Sequence, residues 1–293
     1  MLLAAFFFAT MAVCVKIASA SFNSFELLCY RGLLGMLFMW LLARSRGVSL
    51  ATRHFSMHAW RGLVGVVSLG AWFYAIAHLP LATAMTLNYM SSVWIAALLV
   101  GGALIAWKPG AGTAMPGQGP LMLTVLAGFA GVMLLLRPTL GQDQLFAGLV
   151  GLLSGVTAAF AYIQVMALGK LGEPESRTVF YFALGSAVAG GLGMLAADVS
   201  SLNSAEALWL LPMGLLASLG QLCMTRAYSQ GATLVVANLQ YTGIVFGAIY
   251  SVLLFGEHIP PAGWAGMALI VASGIAATAL RSRADPSAPA EDH

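Results

Sequence analysis

The stretch SLGAWFYAIAHLPLATAMTLN, residues 68–88, has a counterpart downstream, SLGQLCMTRAYSQGATLVVAN, at residues 218–238. Aligned without a gap, the two stretches agree at 7 of 21 positions, whereas a composition this biased would give roughly 2 matches by chance. Both begin with Ser-Leu-Gly and end with an asparagine, Asn88 or Asn238. The chain is therefore expected to contain two related halves.

The composition places these halves in a membrane. The 293 residues are 60% hydrophobic and 8% charged, with a mean hydropathy of +0.89, whereas soluble domains carry about 25% charged residues. We therefore predict an integral membrane protein whose surface contacts the lipid bilayer. The net charge of +3 is too small to indicate a nucleic-acid partner.

Ten segments are long and apolar enough to cross the bilayer as helices. Lipid offers no hydrogen-bond partners to the backbone, and strand-like alternation is lacking in the sequence, so the predicted fold class is all-α. The predicted spans are 2–20, 25–43, 60–78, 81–105, 121–137, 145–169, 177–197, 207–227, 232–254 and 262–281.

The basic residues predict the orientation of these spans. Arg137 alone falls on one side of a ten-span topology, while Lys16 and Arg31 lie within spans. The other ten basic residues share the opposite side: Arg44, Arg46, Arg53, Arg61, Lys108, Lys170, Arg177, Arg226, Arg281 and Arg283. By the positive-inside rule, both termini are expected in the cytoplasm of a multi-pass protein of the cell (inner) membrane.

The two stretches cover equivalent joints, the first between spans 3 and 4 and the second between spans 8 and 9. The two joints are five spans apart, and each span crosses the bilayer once. Because five is an odd number, the second half must be inverted in the bilayer relative to the first. We predict a 5+5 inverted repeat around a central cavity, with halves 1–140 and 141–283 and a disordered cytoplasmic tail, 284–293. Inverted repeats are typical of secondary transporters, whose substrate site lies between the repeats.

Five motifs give the chain a family resemblance: FFFATMAVCVKIAS (6–19), ELLCYRG (26–32), LPLATAMTLNYMSSVW (79–94), GFAGVMLLLRP (128–138) and LFGEHIPPAGWAGMALIVASGIAA (254–277). In order and spacing they resemble the EamA-type members of the drug/metabolite transporter superfamily, over about residues 4–281. The first half departs from that pattern, because Ala106-Trp107 stands where the family often has Gly-Glu. The resemblance implies a ten-helix basket with a central cavity, and the export or uptake of small organic metabolites.

Two ionisable side chains, Lys16 and Arg31, lie well inside predicted spans, where charge is costly. They are candidates for a cationic site that binds a carboxylate or phosphate, or for a gate. Alternatively, Lys16 extends outward to the membrane surface, and Arg31 pairs with Glu26 or with backbone carbonyls as a structural fastener. The sequence leaves both interpretations open.

Polar side chains recur at corresponding positions of spans 4 and 9. Asn88, Ser91 and Ser92 share a face of span 4, and Asn238, Tyr241 and Thr242 repeat that spacing in span 9. Such groups line either a cavity or a contact between helices. Because pockets for organic compounds are mostly apolar and aromatic with a few polar groups, the remaining candidates for substrate binding are Trp72, Trp94, Tyr162, Gln164 and Gln221.

We predict a secondary transporter that exports a small amphipathic metabolite, such as an amino acid-like compound, by alternating access. An uptake carrier for an anionic or nucleotide-like metabolite or a vitamin is the alternative. An enzyme is not expected, because the spans carry no acid–base pair, and a channel would need a polar stripe along a whole helix. The prediction includes a small-molecule substrate, no cofactor or metal, and a monomer or homodimer.

Overall fold

A computed structural model describes residues 1–95, 98, 123–124, 126–128, 130–131, 134, 144–230, 236 and 239–284. Within these ranges every regular element is a helix, which confirms the predicted all-α class for this part of the chain. A short 3-10 helix, Ala205–Trp209, immediately precedes the helix that begins at Leu210. The α-helices are α1 Leu2–Ala18, α2 Ser24–Ser45, α3 Phe55–His78, α4 Leu81–Tyr89, α5 Leu145–Lys170, α6 Glu175–Met194, α7 Leu210–Gln230, α8 Thr242–Phe255 and α9 Pro261–Ala284.

Four helical segments of the described residues are long and apolar enough to cross a membrane, and three further apolar helices are shorter. The four are α2, α3, α5 and the segment Ala205–Gln230 that includes α7. The chain is therefore a multi-pass membrane protein. Much of the predicted spans 81–105 and 121–137 lies outside the described residues, so the count of ten spans stays a prediction.

The start of α2 shows why one candidate partner of Arg31 is occupied elsewhere. Asn23 Oδ1 accepts hydrogen bonds from the backbone N–H groups of Phe25 and Glu26, and the Glu26 carboxylate accepts one from the Asn23 N–H. This reciprocal capping box satisfies backbone donors that a helix start leaves free. Glu26 also accepts from the backbone and the hydroxyl of Ser200. Glu26 is thus engaged at the helix end, and Arg31 does not pair with it.

The main contacts between helices are symmetric: if α1, α2, α3 and α4 are replaced by α5, α6, α7 and α8, and the reverse, the same helix pairs are in contact. Helix α1 packs against α7, and its counterpart α5 packs against α3. Helix α2 contacts α7 as α6 contacts α3, and α4 contacts α5 as α8 contacts α1. The α2–α6 and α4–α8 pairs map onto themselves. The contacts between helices therefore follow the same internal relation as the sequence repeat.

Helices α2 and α6 approach so closely that two positions require glycine. A Cβ on Gly32 would meet the backbone nitrogen of Ala187, and a Cβ on Gly190 would meet the backbone nitrogen of Cys29. Small residues of this kind let helix backbones pack tightly in a membrane. The two glycines lie on opposite partners of the pair, so each helix makes room for the other.

An ion pair joins α1 to the loop between α8 and α9. Lys16 Nζ lies 2.8 Å from Glu257 Oε1 and donates a 2.7 Å hydrogen bond to the Leu79 carbonyl. Glu257 Oε2 accepts from the Leu81 N–H at 2.8 Å and from the Ser251 hydroxyl. A carboxylate at this position complements the free N–H groups and the dipole at the start of α4. We refer to Lys16, Leu79, Leu81 and Glu257 as the joint cluster.

Substituting Gly190→Ala is expected to lower the melting temperature by a few degrees, because the new methyl group must displace the backbone at Cys29. Overpacking of this kind costs typically about 1–3 kcal/mol. Thermal unfolding of the detergent-purified protein measures the effect. Gly185→Ala is the matched control on α6, since its Cβ would meet atoms no nearer than 3.5 Å. Equal melting temperatures for the two variants would contradict the close approach of α2 and α6.

Substituting Glu257→Gln is expected to destabilise the protein, because it removes the negative charge beside Lys16 but keeps an acceptor for the Leu81 N–H. The Lys16 and Glu257 side chains are only 17% and 16% exposed, and leaving one charge of a buried pair without its partner is costly. The double variant Lys16→Met/Glu257→Gln should regain part of the lost melting temperature. Losses that simply add would show that the two charges do not interact.

Candidate functional site

A cavity lies between helices α1–α4 on one side and α5–α7 on the other. Its walls surround about 530 Å³ of space not filled by atoms, which includes open solvent, and the volume open to the centres of water-sized molecules is about 50 Å³. Its lining includes the polar side chains of Arg31, Arg61, Ser68, Asn88, Tyr89, Tyr162 and Gln221 and the apolar walls of Phe8, Met11, Leu69 and Trp72.

Two arginines of this cavity contact the same aromatic ring. The guanidinium carbon of Arg31 lies 4.4 Å from the centroid of the Phe182 ring, and that of Arg61 lies 4.2 Å from it. Both arginines are only 3% exposed. Cation–π contacts contribute about 0.5–2 kcal/mol each, more when desolvated. We refer to Arg31, Arg61 and Phe182 as the arginine cluster.

Only neutral side chains accept hydrogen bonds from these arginines among the described residues. Arg31 Nη1 donates to Ser186 Oγ at 3.0 Å, and Arg61 Nη2 donates to Gln221 Oε1 at 3.4 Å. The Nε atoms of both arginines and Nη1 of Arg61 are buried and have no protein acceptor in this part of the chain. The salt bridges of the described residues are Lys16–Glu257, His58–Glu173 and Arg177–Glu173.

The sequence assigns Arg61 to the loop after span 2 together with Arg44, Arg46 and Arg53, and the structure corrects that assignment. Helix α3 begins at Phe55, not at residue 60, so Arg61 lies nearly two turns inside the helix and is buried. Its guanidinium lies over Gly65, where a Cβ would meet Nη1. Hydropathy alone hides this helix start, because residues 55–61 mix polar and apolar side chains. The signal that could have revealed it is that the run from Phe55 to Arg61 contains no glycine or proline.

Five of the predicted binding residues line the cavity: Arg31, Trp72, Asn88, Tyr162 and Gln221. Asn88 also serves in a contact between helices, because its Nδ2 donates to Ser154 Oγ at 3.1 Å. The Tyr162 ring stacks on Tyr228 at a centroid distance of 5.3 Å. The two interpretations of these polar groups are therefore compatible, since one side chain can line the cavity and join two helices.

Other predicted residues lie away from the cavity lining. Lys16 belongs to the joint cluster. Ser91 accepts a hydrogen bond from Gln240 Nε2 at 2.9 Å, and Gln240 in turn accepts one from the Tyr228 hydroxyl at 2.6 Å. Thr242 donates to the carbonyl of Leu239 at 2.7 Å. These contacts hold helices and helix ends together.

The last four predicted residues are also not part of the described cavity lining. Tyr241 is buried at 2% exposure but outside the lining. Trp94 and Gln164 are half-buried and also outside it. Asn238 lies outside the described residues, so its pairing with Asn88 stays a prediction.

A second charged cluster packs the start of α3 against the joint of α5 and α6. Glu173 accepts hydrogen bonds from Arg177 Nη1 at 2.9 Å and from the Thr52 hydroxyl at 2.8 Å, and it lies 3.1 Å from His58 Nε2. Burial alone would raise the pKa of the Glu173 carboxyl, but the bonds from Arg177, Thr52 and His58 lower it below its ordinary value. This carboxylate is thus ionised at neutral pH and holds the helix start that carries Arg61.

Comparison with known proteins agrees with this architecture. The sequence profile of the EamA-like transporter family matches residues 1–108 and 145–278. A pseudopaline exporter, CntI, of Pseudomonas aeruginosa is 32% identical over 280 residues, 94% of this chain and 93% of that protein. A riboflavin transporter of Rhizobium johnstonii is 28% identical over 274 residues, 91% of this chain and 82% of that protein.

A solved protein structure shares the fold, with a TM-score of 0.67 at 18% identity over 96% of both chains. The family profile covers most of the residues, and the exporter is similar over nearly the whole length. The chain therefore belongs to the EamA-like transporter family, and it is a small-molecule transporter of the membrane, not an enzyme.

Proposed function

We propose that this protein is a secondary transporter that exports a small organic metabolite through the cavity by alternating access. The observation that carries the proposal is the origin of the cavity lining. Arg31, Arg61 and Asn88 come from helices before residue 140, whereas Tyr162, Phe182 and Gln221 come from helices after it. A compound bound there contacts both parts of the chain, as expected of a site between two rocking repeats.

The two parts are proposed to be inverted five-helix repeats, 1–140 and 141–283, followed by a polar tail. The sequence echo between 68–88 and 218–238 and the exchangeable helix contacts support this division. The distribution of basic residues supports cytoplasmic termini in the cell (inner) membrane. Chains with such a repeat can present one binding site to either side by exchanging two equivalent arrangements.

The hydrogen bonds of the cavity arginines also suit a moving site. Arg31 reaches from α2 to Ser186 on α6, and Arg61 reaches from α3 to Gln221 on α7. These bonds cross between the proposed repeats and use neutral acceptors. A ligand that competes for the same donors would change the contacts that hold the two repeats together.

Export is the proposed direction because a pseudopaline exporter is similar over nearly the whole chain. The riboflavin transporter among the relatives supports the second candidate, an uptake carrier for an anionic metabolite or a vitamin. Both share the cavity, and they differ in the substrate class and in the direction of net flux.

The proposal predicts saturable flux with counterflow in proteoliposomes. Vesicles preloaded with an unlabelled compound should take up the labelled compound faster than empty vesicles, because a carrier returns more quickly when loaded. The panel comprises amino acids, nucleotides, vitamins and organic acids. Linear flux without acceleration for every compound would overturn alternating access.

A substitution that fills the cavity provides the structural control. Ala161 lines the cavity and is 3% exposed, so Ala161→Trp should reduce counterflow to near background. Phe160→Trp introduces the same side chain at the neighbouring α5 position, which is 40% exposed, and should leave counterflow intact. Equal rates for the two variants, at equal protein in the vesicles, would show that the compound takes another path.

A further inference from the structure

We infer that the cavity selects a dianionic organic compound, whose carboxylate or phosphate oxygens bind Arg31 and Arg61. This inference rests on the proposed transport through the cavity and names the chemical class of the compound that is carried. Its basis is the arginine cluster, where two buried positive charges contact one ring and lack an acidic partner among the described residues.

The two buried guanidinium charges need compensation. Moving a guanidinium out of water costs several kcal/mol, which is offset only by an opposite charge or by good hydrogen bonds. The glutamates of the described residues all have other partners. Glu26 binds Asn23 and Ser200, Glu173 binds His58 and Arg177, Glu175 binds Gln230, Glu206 binds Ser21, and Glu257 binds Lys16. A ligand with two negative charges supplies the missing compensation.

The cavity lining has more hydrogen-bond donors than acceptors for them. Five buried donor atoms around the cavity have no acceptor among the described residues: Nε of Arg31, Nε and Nη1 of Arg61, Nε1 of Trp72 and the hydroxyl of Tyr89. Buried donors are normally paired, and leaving them unpaired is destabilising. A surplus of donors favours a ligand that carries mainly acceptors, and oxyanions are acceptors at every oxygen.

The two guanidinium groups lie near each other. Since both guanidinium carbons lie within 4.4 Å of the Phe182 centroid, they are at most about 8.6 Å apart. One small compound can reach both. The planar guanidinium fork binds carboxylate and phosphate oxygens through two parallel hydrogen bonds. The apolar walls at Phe8, Met11 and Leu69 are suited to the carbon skeleton that joins the acidic groups.

The experiment measures thermal stabilisation of the full-length protein in detergent by a matched series of compounds. Succinate, succinamate and succinamide have nearly the same size and carry two, one and no negative charges at neutral pH. A ligand that binds the folded state raises its melting temperature, and at equal concentration the tighter ligand raises it more. At the same millimolar concentration, we expect succinate to give the largest rise, several degrees, and succinamide to give none beyond sodium chloride of equal ionic strength.

A second arm distinguishes the two sources of negative charge. Phthalate and phenyl phosphate present two carboxylates or one phosphate on the same aromatic skeleton. The one that gives the larger rise identifies the acidic group that the site prefers. No rise with any of the anions above the sodium chloride control would overturn the inference.

Two variants locate the binding. Arg31→Gln and Arg61→Gln should each abolish the rise given by succinate, while Arg44→Gln, an exposed arginine at the other end of α2, should keep it. An unchanged anion effect in both cavity variants would place the site elsewhere and overturn the inference.

The outcome is separable from that of the transport proposal. Anion binding at the arginines without any counterflow would sustain the inference and reject the carrier. Saturable counterflow of a neutral compound that Arg31→Gln and Arg61→Gln leave unchanged would sustain the carrier and reject the inference.

Discussion

The burial of two guanidinium groups around one phenylalanine ring is the constraint on which the rest of this structure depends. In a medium of low dielectric constant, each charge must be compensated or it destabilises the fold. The described residues offer Arg31 and Arg61 a shared aromatic face, a serine and a glutamine, but no carboxylate. These neutral partners position the two arginine side chains. Because they do not neutralise the guanidinium charges, the proposed anionic ligand can still bind them.

The helices around this cluster are arranged to hold it in place. Gly65 leaves the space that the Arg61 guanidinium occupies. Glu173 contacts His58, which lies one turn before Arg61, and this contact fixes the start of α3. Glycines on α2 and α6 bring Arg31 and the ring of Phe182 together by letting the two backbones approach. A site built from helices of both proposed repeats is therefore positioned by contacts that also determine how those repeats meet.

The two proposed repeats are not equivalent at their joints. The joint between α3 and α4 is held by Lys16 and Glu257, with the carboxylate at the start of α4. In the first half, Trp107 stands where the family resemblance places the corresponding acidic residue. In the proposed carrier, a rearrangement that moves α1 away from the loop between α8 and α9 would separate this ion pair, so we propose that its two faces differ in how readily they open.

The sequence predicted the all-α class and, to within a few residues, the bounds of most described helices, because these properties follow from local hydropathy. It also predicted twelve residues for the substrate site, of which Arg31, Trp72, Asn88, Tyr162 and Gln221 line the cavity; that they bind substrate stays a prediction. It did not predict the role of Arg61, since an amphipathic helix start looks like a loop in a hydropathy pattern. Phe182 and the Lys16–Glu257 pair were also missed, because an aromatic residue in a span usually packs in the core and the two charges are far apart in sequence.

The most direct test is an experimental structure with the compound that gives the fastest counterflow bound to the protein. We expect density for its acidic group within hydrogen-bond distance of the Arg31 and Arg61 guanidinium groups, beside the Phe182 ring. Density at any other position, with the arginine cluster unoccupied, would contradict the assignment of the acidic group to these arginines.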